Sequence, residues 1–218
     1  MNRNDQISAT EEFVRQNLKG YDSGHDWWHI ERVRKLSLFL NKMELLADPF
    51  TVEVTALLHD SADSKFTGGN TEEAYLAISD FMCNCGMSEI KDKVLNVIKN
   101  ISFSSKTTSG NPDDPLLWVI QDADRLDAIG AIGVARAFNY GGFRNNKIYN
   151  PEIVNSDESE KETGKTGTSS TISHFYEKLL LLKYRMNTLT AKRLAVERHD
   201  FLEVFLKQFY KEWDLATG

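Results

Sequence analysis

Cysteine, basic charge and long apolar runs are all scarce in this chain, and each shortage removes a class of function. Cys83 and Cys85 are the only two cysteines among 218 residues, too few for a disulfide framework. A Cys-x-Cys pair can ligate metal, but two thiols on one helix with no histidine nearby read as packing residues. No apolar stretch is long enough to span a bilayer and no basic-apolar leader opens the sequence. A reducing cytoplasm is therefore the expected compartment, with no membrane partner. With 26 Lys and Arg against 32 Asp and Glu, the net charge of -6 argues against non-specific nucleic-acid binding, which runs on basic surface. A small anionic substrate stays open, because a metal and a few local cations can override the global sign.

What is present is helical periodicity. With 41% hydrophobic and 27% charged residues, residues 1–218 suffice for a single domain with a sizeable core. Ser8 or Thr10 can cap a first helix through about Lys19. A second carries His29, Val33, Leu36, Phe39, Leu40 and Met43 on one stripe. Asp48-Pro49 supplies an N-cap and an N1 proline for the helix that delivers His59 and Asp60. Thr71 and Ser88 can cap the next two, through about Asn84 and Asn100. A long helix is expected from Asp113-Asp114-Pro115 to Ile132, then two amphipathic ones over about 170–186 and 190–213. No segment alternates convincingly as a strand, so the expected class is all-α. The stretch from about 141 to 169 is too polar and glycine-rich to pack and is expected as a mobile loop. Its Gly164-Lys165-Thr166 is no phosphate loop, because Ser159 stands where the earlier glycine is required and no strand precedes it.

His-Asp occurs three times, at His25-Asp26, His59-Asp60 and His199-Asp200. Only the middle pair ends a core-like run (Val52, Val54, Ala56, Leu57, Leu58) and has a third acid, Asp63, four residues after its histidine. On a helix, His59 and Asp63 would share a face. Such polar residues are seldom placed beside a buried apolar face without something that neutralises them. With His29 upstream and Asp124 downstream, two imidazoles and two carboxylates are available for one divalent metal.

Set in order, these residues resemble the His…His-Asp…Asp pattern of HD-domain metal phosphohydrolases. The match continues through Gly24-His-Asp-Trp-Trp-His29-Ile-Glu-Arg32-Val and Ala56-Leu-Leu-His-Asp60-Ser-Ala-Asp63-Ser-Lys65-Phe66. Further on, Ile101-Ser-Phe-Ser104 and Gln121-Asp-Ala-Asp-Arg-Leu-Asp-Ala-Ile-Gly130 are similar to later motifs of a bacterial single-domain subfamily that includes nucleotide pyrophosphohydrolases. His174-Phe-Tyr-Glu-Lys-Leu-Leu180 and Glu197-Arg-His-Asp-Phe201 also fit. Each motif is weak alone; their order and spacing over residues 8–213 are specific.

The resemblance implies an all-α fold whose central helices converge on one divalent metal held by His29, His59, Asp60 and Asp124. Imidazole with carboxylate suits manganese, magnesium, iron, cobalt, nickel or zinc alike. Asp63 matches the position of an acid that orients or deprotonates water, or protonates a leaving oxygen. Lys65 and Arg125, each next to a site acid, are candidates for neutralising phosphate; surface ion pairing is the plainer alternative. Lys106 and Lys178 are weaker candidates. His25 and Asp26 are read as groups orienting His29, and Asp127 as a hydrogen-bonding support for Asp124. Asp122 replaces Asp124 as ligand if the helix register differs.

Elsewhere plainer readings hold: one of Trp27 and Trp28 as core and the other as a pocket wall, His174 as a structural group, His199-Asp200 as a surface pair or a cap of the neighbouring helix, and Leu179–Leu182 as a buried helix face. The expected activity is hydrolysis of a nucleotide or related small phosphate ester or anhydride, with nucleoside triphosphate pyrophosphohydrolysis leading. Five histidines are few for a two-metal cyclic-nucleotide phosphodiesterase. The alternative from another class is a nucleotide or metal sensor without turnover.

Overall fold

Nine α-helices and one 3-10 helix, with no strand, make up the described residues of the computed structural model: 1–18, 26–62, 70–101, 113–151 and 170–215. The all-α expectation therefore holds. The helices are α1 (Arg3–Asn17), α2 (Trp27–Glu44), α3 (Pro49–Leu58), α4 (Thr71–Asn84), α5 (Ser88–Asn100), α6 (Pro115–Asp127), α7 (Gly130–Phe143), α8 (Thr171–Glu177) and α9 (Leu189–Trp213); the 3-10 helix is Leu179–Arg185. No helix among the described residues is long and apolar enough to cross a membrane. Contacts divide the chain into two compact units: Met1–Asp124 with Asn187–Ala191, and Arg125–Met186 with Lys192–Gly218.

In the first unit, α3 packs on α1, α2 and α5, and its residues Val54, Leu57 and Leu58 are buried with Ile30, Ile78, Met82 and Val94. Asp48 opens α3 as expected: its carboxylate accepts from the Thr51 amide at 2.9 Å, and Pro49 fills the first turn, where no amide hydrogen is needed. Arg34 ties three helices together, donating to Glu53 of α3 at 2.9 Å, to Glu11 of α1 at 2.7 Å and to Glu31 within α2. Burial acts to lower the pKa of this guanidinium, but the hydrogen bond and charge of Glu53, joined by Glu11 and Glu31, outweigh it and raise the pKa above its usual value.

Several boundaries differ from the sequence reading. α1 starts at Arg3, with the Asn2 side chain capping the Asp5 amide, and Thr10 lies buried inside it, its hydroxyl donating to the Gln6 carbonyl at 2.8 Å. Asn70 and Met87, rather than Thr71 and Ser88, hold the cap positions of α4 and α5, a one-residue difference of the kind helix ends commonly show. The buried face of α2 runs through His29, Ile30, Val33, Ser37, Leu40 and Asn41, leaving Phe39 and Met43 exposed. Asn41 is held inside because its amide satisfies the turn after α2, accepting from the Leu46 and Ala47 amides and donating to the Ala47 carbonyl. Cys83 is exposed, so the packing role expected of both thiols applies only to the half-buried Cys85, whose pKa burial pushes up.

In the second unit, the long helix expected up to Ile132 stops at Asp127 and restarts as α7. Gly130 sits at the break with φ of +76°, a conformation glycine adopts without a Cβ clash. The expected helix over 170–186 also breaks. α8 ends at Glu177 and a 3-10 segment follows, burying Leu179 and Leu182 while Leu181 is exposed, the three-residue period of that geometry. Part of the expected loop is ordered. α7 continues to Phe143, and the Lys147 and Ile148 carbonyls accept from the Thr171 and Ile172 amides at 2.9 and 3.0 Å. Tyr149 packs edge-on against Phe209, Tyr210 and Trp213. Residues 152–169 of that expectation lie outside the described residues.

Candidate metal site

Three helix ends bring the site together within the first unit. His29 stands in the first turn of α2, His59 caps the C-terminus of α3 and Asp124 lies in the last turn of α6. α3 ends because the chain turns: the Ser61 amide donates to the Leu58 carbonyl at 2.9 Å, and residues 59–62 are no longer helical. The turn gives Asp60 a reach that a continuing helix would deny it. One of its oxygens is 3.3 Å from His29 Nε2 and the other 3.5 Å from His59 Nε2. Asp124 Oδ1 is 3.5 Å from His29 Nε2. The two rings meet edge to face, 5.3 Å apart.

His59 shows most directly what this cluster suits. Its Nδ1 lies 2.8 Å from the Ala56 carbonyl, which can only accept, so Nδ1 carries the proton and Nε2 presents a lone pair in the neutral ring. That Nε2 is buried and makes no hydrogen bond. A backbone carbonyl behind a ligating imidazole is the usual way a protein fixes the tautomer a metal needs. Ligand atoms from His29, His59 and Asp124 lie within 4.8 Å of one another. Neighbouring ligands about 2.1 Å from a shared ion stand roughly 3.0–3.4 Å apart in octahedral or tetrahedral geometry, close to the separations seen around His29 and Asp60. Two carboxylates against two buried imidazoles also concentrate negative charge that a cation would balance. Exposure grades across the group: both imidazole side chains are at 0%, Asp60 at 13% and Asp124 at 39%, so the site is dry on the histidine side and open beside Asp124.

Asp26 supports His29 through the backbone. It is the N-cap of α2, and its carboxylate accepts from the His29 amide at 2.8 Å. Asp122 is no alternative ligand: fully buried, it accepts from the Asn187 and Thr188 amides at 2.8 and 2.7 Å. Arg125 and Asp127, expected at the phosphate and behind Asp124, are engaged within the second unit. Arg125 donates to the Arg185 carbonyl, and the buried Asp127 pairs with Arg136 at 2.8 Å. His25, Asp63, Lys65 and Lys106 lie outside the described residues. α3 ends at Leu58, and the shared helical face expected for His59 and Asp63 falls on residues outside the described ones. Trp27 packs on the core with the Arg15 guanidinium 3.6 Å above its ring centre, while Trp28 is 64% exposed.

A cavity of about 250 Å³ opens beside Ser61, the residue after Asp60. Phe13, Ala74 and Ile78 contribute apolar lining, and Asn17, Ser61 and Glu73 polar lining.

The fold and site define an all-α protein with a His29, His59 and Asp124 group that could hold a metal ion. No sequence profile of a protein family matches the chain. It is 37% identical over 207 residues to YpgQ of Bacillus subtilis, spanning 92% of this chain and 90% of the relative. A solved HD-superfamily hydrolase from Bacillus thuringiensis shares its fold with a TM-score of 0.74 at 37% identity, covering 98% of this chain and 99% of the other. YpgQ solved in complex with ADP gives a TM-score of 0.74 at 32% identity, covering 94% and 97%. A Lactobacillus plantarum protein reaches 0.80 at 34% identity, over 97% and 98%. The chain belongs to the HD superfamily of hydrolases.

Proposed function

We propose that this protein is a divalent-metal-dependent phosphohydrolase acting on a nucleotide, with release of pyrophosphate from a nucleoside triphosphate as the leading reaction. The observation that carries the reading is His59: a buried Nε2 with its tautomer set from behind, facing Asp60 beside His29 and Asp124. His29, His59, Asp60 and Asp124 hold the ion, which supplies Lewis-acid stabilisation of charge on a phosphoryl oxygen. Asp63 moves the proton, taking it from the attacking water or giving it to the leaving oxygen. Lys65 neutralises phosphate charge, while His25 and Asp26 hold His29 in place. The half-exposed Asp124 marks the side from which phosphate enters. A nucleotide is favoured because YpgQ has been solved with ADP and because the cavity beside Ser61 is lined by both apolar and polar side chains, as a base requires.

The test is a hydrolysis screen of purified, metal-quantified protein against nucleoside mono-, di- and triphosphates. Manganese, magnesium, cobalt and nickel are supplied in turn, and phosphate release is separated from pyrophosphate release. Metal-dependent turnover that disappears in Asp60→Ala is the expected result, and the product identifies the scissile bond. Binding of one metal equivalent and of nucleotide without turnover of any substrate replaces this reading with the sensor.

A further inference from the structure

The least expected feature near the site is a carboxylate that cannot touch it. Asp122 is fully buried, yet it accepts hydrogen bonds from the Asn187 amide at 2.8 and 3.1 Å, from the Asn187 side-chain nitrogen at 3.0 Å and from the Thr188 amide at 2.7 Å. The same Asn187 nitrogen reaches Gln121 Oε1 at 3.3 Å, and Gln121 Nε2 reaches the Asn100 carbonyl at the end of α5, also at 3.3 Å. Asp122 ties α6 to the Asn187–Thr188 turn, and Gln121, about 100° around the helix, ties it to the end of α5. Asp124 is two residues further on, about 200° around a helix of 3.6 residues per turn, so it leaves α6 from nearly the opposite face. That face meets His29 at 3.5 Å.

We propose that Asp122 is a positioning residue for the metal site, fixing the rotation of α6 through the Asn187–Thr188 backbone and so aiming Asp124 at His29. The inference rests on the metal reading above. The apolar surface of α6, formed by Leu116, Val119, Ile120 and Ala123, buries well, but hydrophobic contact has no direction and tolerates a few degrees of roll. Hydrogen bonds to a buried carboxylate are directional. The requirement is stringent: a side chain reaching about 6 Å from a helix axis moves by about 1 Å for a 10° roll. Metal ligands must fall within about 0.2 Å of their distances. Asp122 therefore does for the α6 ligand what the Ala56 carbonyl does for His59, from behind and without contacting the ion.

The experiment is a manganese titration of metal-free protein, read by the loss of the free-ion electron paramagnetic resonance signal well below the melting temperature. Asp122→Asn keeps the side-chain volume but turns one acceptor oxygen towards the amides into a donor. It is expected to raise the Kd for manganese by about 10–100-fold, the usual cost of losing a group that orients a ligand, with one site retained. Asn187→Ala keeps the backbone donors and loses only the side-chain bonds, so its rise is smaller and in the same direction. Phe175→Leu, a destabilising change inside the second unit, leaves Kd unchanged and separates positioning from general loss of stability. Wild-type affinity in folded Asp122→Asn overturns the proposal. If that variant does not fold, wild-type affinity in Asn187→Ala overturns it instead. A wild-type protein that binds no manganese overturns the metal reading and this inference together.

Discussion

His59-Asp60 and His199-Asp200 are the same dipeptide placed at different points along a helix, and they end up with unrelated roles. His59 is the C-cap of α3, where the chain turns, so Asp60 folds back and addresses two imidazoles. His199 lies well inside the 25-residue α9, where consecutive side chains diverge by about 100°. His199 is accordingly buried and Asp200 exposed, and His199 Nε2 bonds instead to Glu203 one turn on, at 3.1 Å. The surface pair expected at 199–200 is therefore half wrong: the histidine is core and only the aspartate is surface. A helix end, more than the dipeptide, allows adjacent residues to serve one centre.

The largest effects should separate these two copies. Asp60→Ala is expected to lose both metal binding and turnover, whereas Asp200→Ala should keep one bound metal and full activity, as equilibrium dialysis and a hydrolysis assay would show. Metal loss in the second variant alone would move the site to α9. Next comes Asp63→Ala, which should retain one equivalent of metal while turnover falls by about 10²–10⁴-fold, the range for loss of proton-transfer catalysis. Unchanged turnover removes Asp63 from the chemistry.

Element types were legible in the sequence wherever the apolar period was long and a cap stood in front of it, as at Asp48-Pro49. That His29, His59, Asp60 and Asp124 would be neighbours was legible because such residue types are seldom placed together against a core. What could not be read was rotation and interruption. Gly130 breaks an apolar pattern that continues across it, because the pattern records burial and is silent about backbone direction. Asp122 and Asp124 are alike in sequence, and only the amides of Asn187 and Thr188, over sixty residues downstream, distinguish a buried acceptor from the aspartate that meets His29. Asp26 could have been assigned earlier: an aspartate three residues before His29, at the head of an amphipathic stripe, has the N-cap spacing it in fact adopts.

A smaller effect is expected at the cavity beside Ser61. Ala74→Trp should fill it and raise KM for a nucleoside triphosphate by roughly tenfold, about 1.4 kcal/mol of lost binding, while hydrolysis of inorganic tripolyphosphate stays unchanged. Equal effects on both substrates would place the base elsewhere. Smaller again is the cap of α3. Burial alone would raise the Asp48 pKa, but the Thr51 amide and hydroxyl, with Arg3 nearby, hold it below the usual carboxylate range. Its stabilisation is thus fully present above the unfolded pKa and lost as pH falls through the lowered folded one. Asp48→Ala should cost about 1 kcal/mol at pH 7, and the gap in melting temperature from wild type should close between about pH 5 and pH 2. A gap that ignores pH would mean the cap acts without its charge.

The smallest effect sharpens the comparison most. His199 Nδ1 is buried and makes no hydrogen bond, and the one bond from Nε2 goes to Glu203, whose side chain is 63% exposed. His199→Leu removes a desolvated nitrogen along with a bond made at the solvent edge, so the two changes offset and stability should shift by less than about 1 kcal/mol. His59→Leu gives up a ring whose lone pair faces the Asp60 carboxylate, and metal binding should go with it. Two chemically identical substitutions, read by thermal melting and metal stoichiometry, should then differ in stoichiometry alone. Loss of metal in both would mean that α9 contributes to the centre.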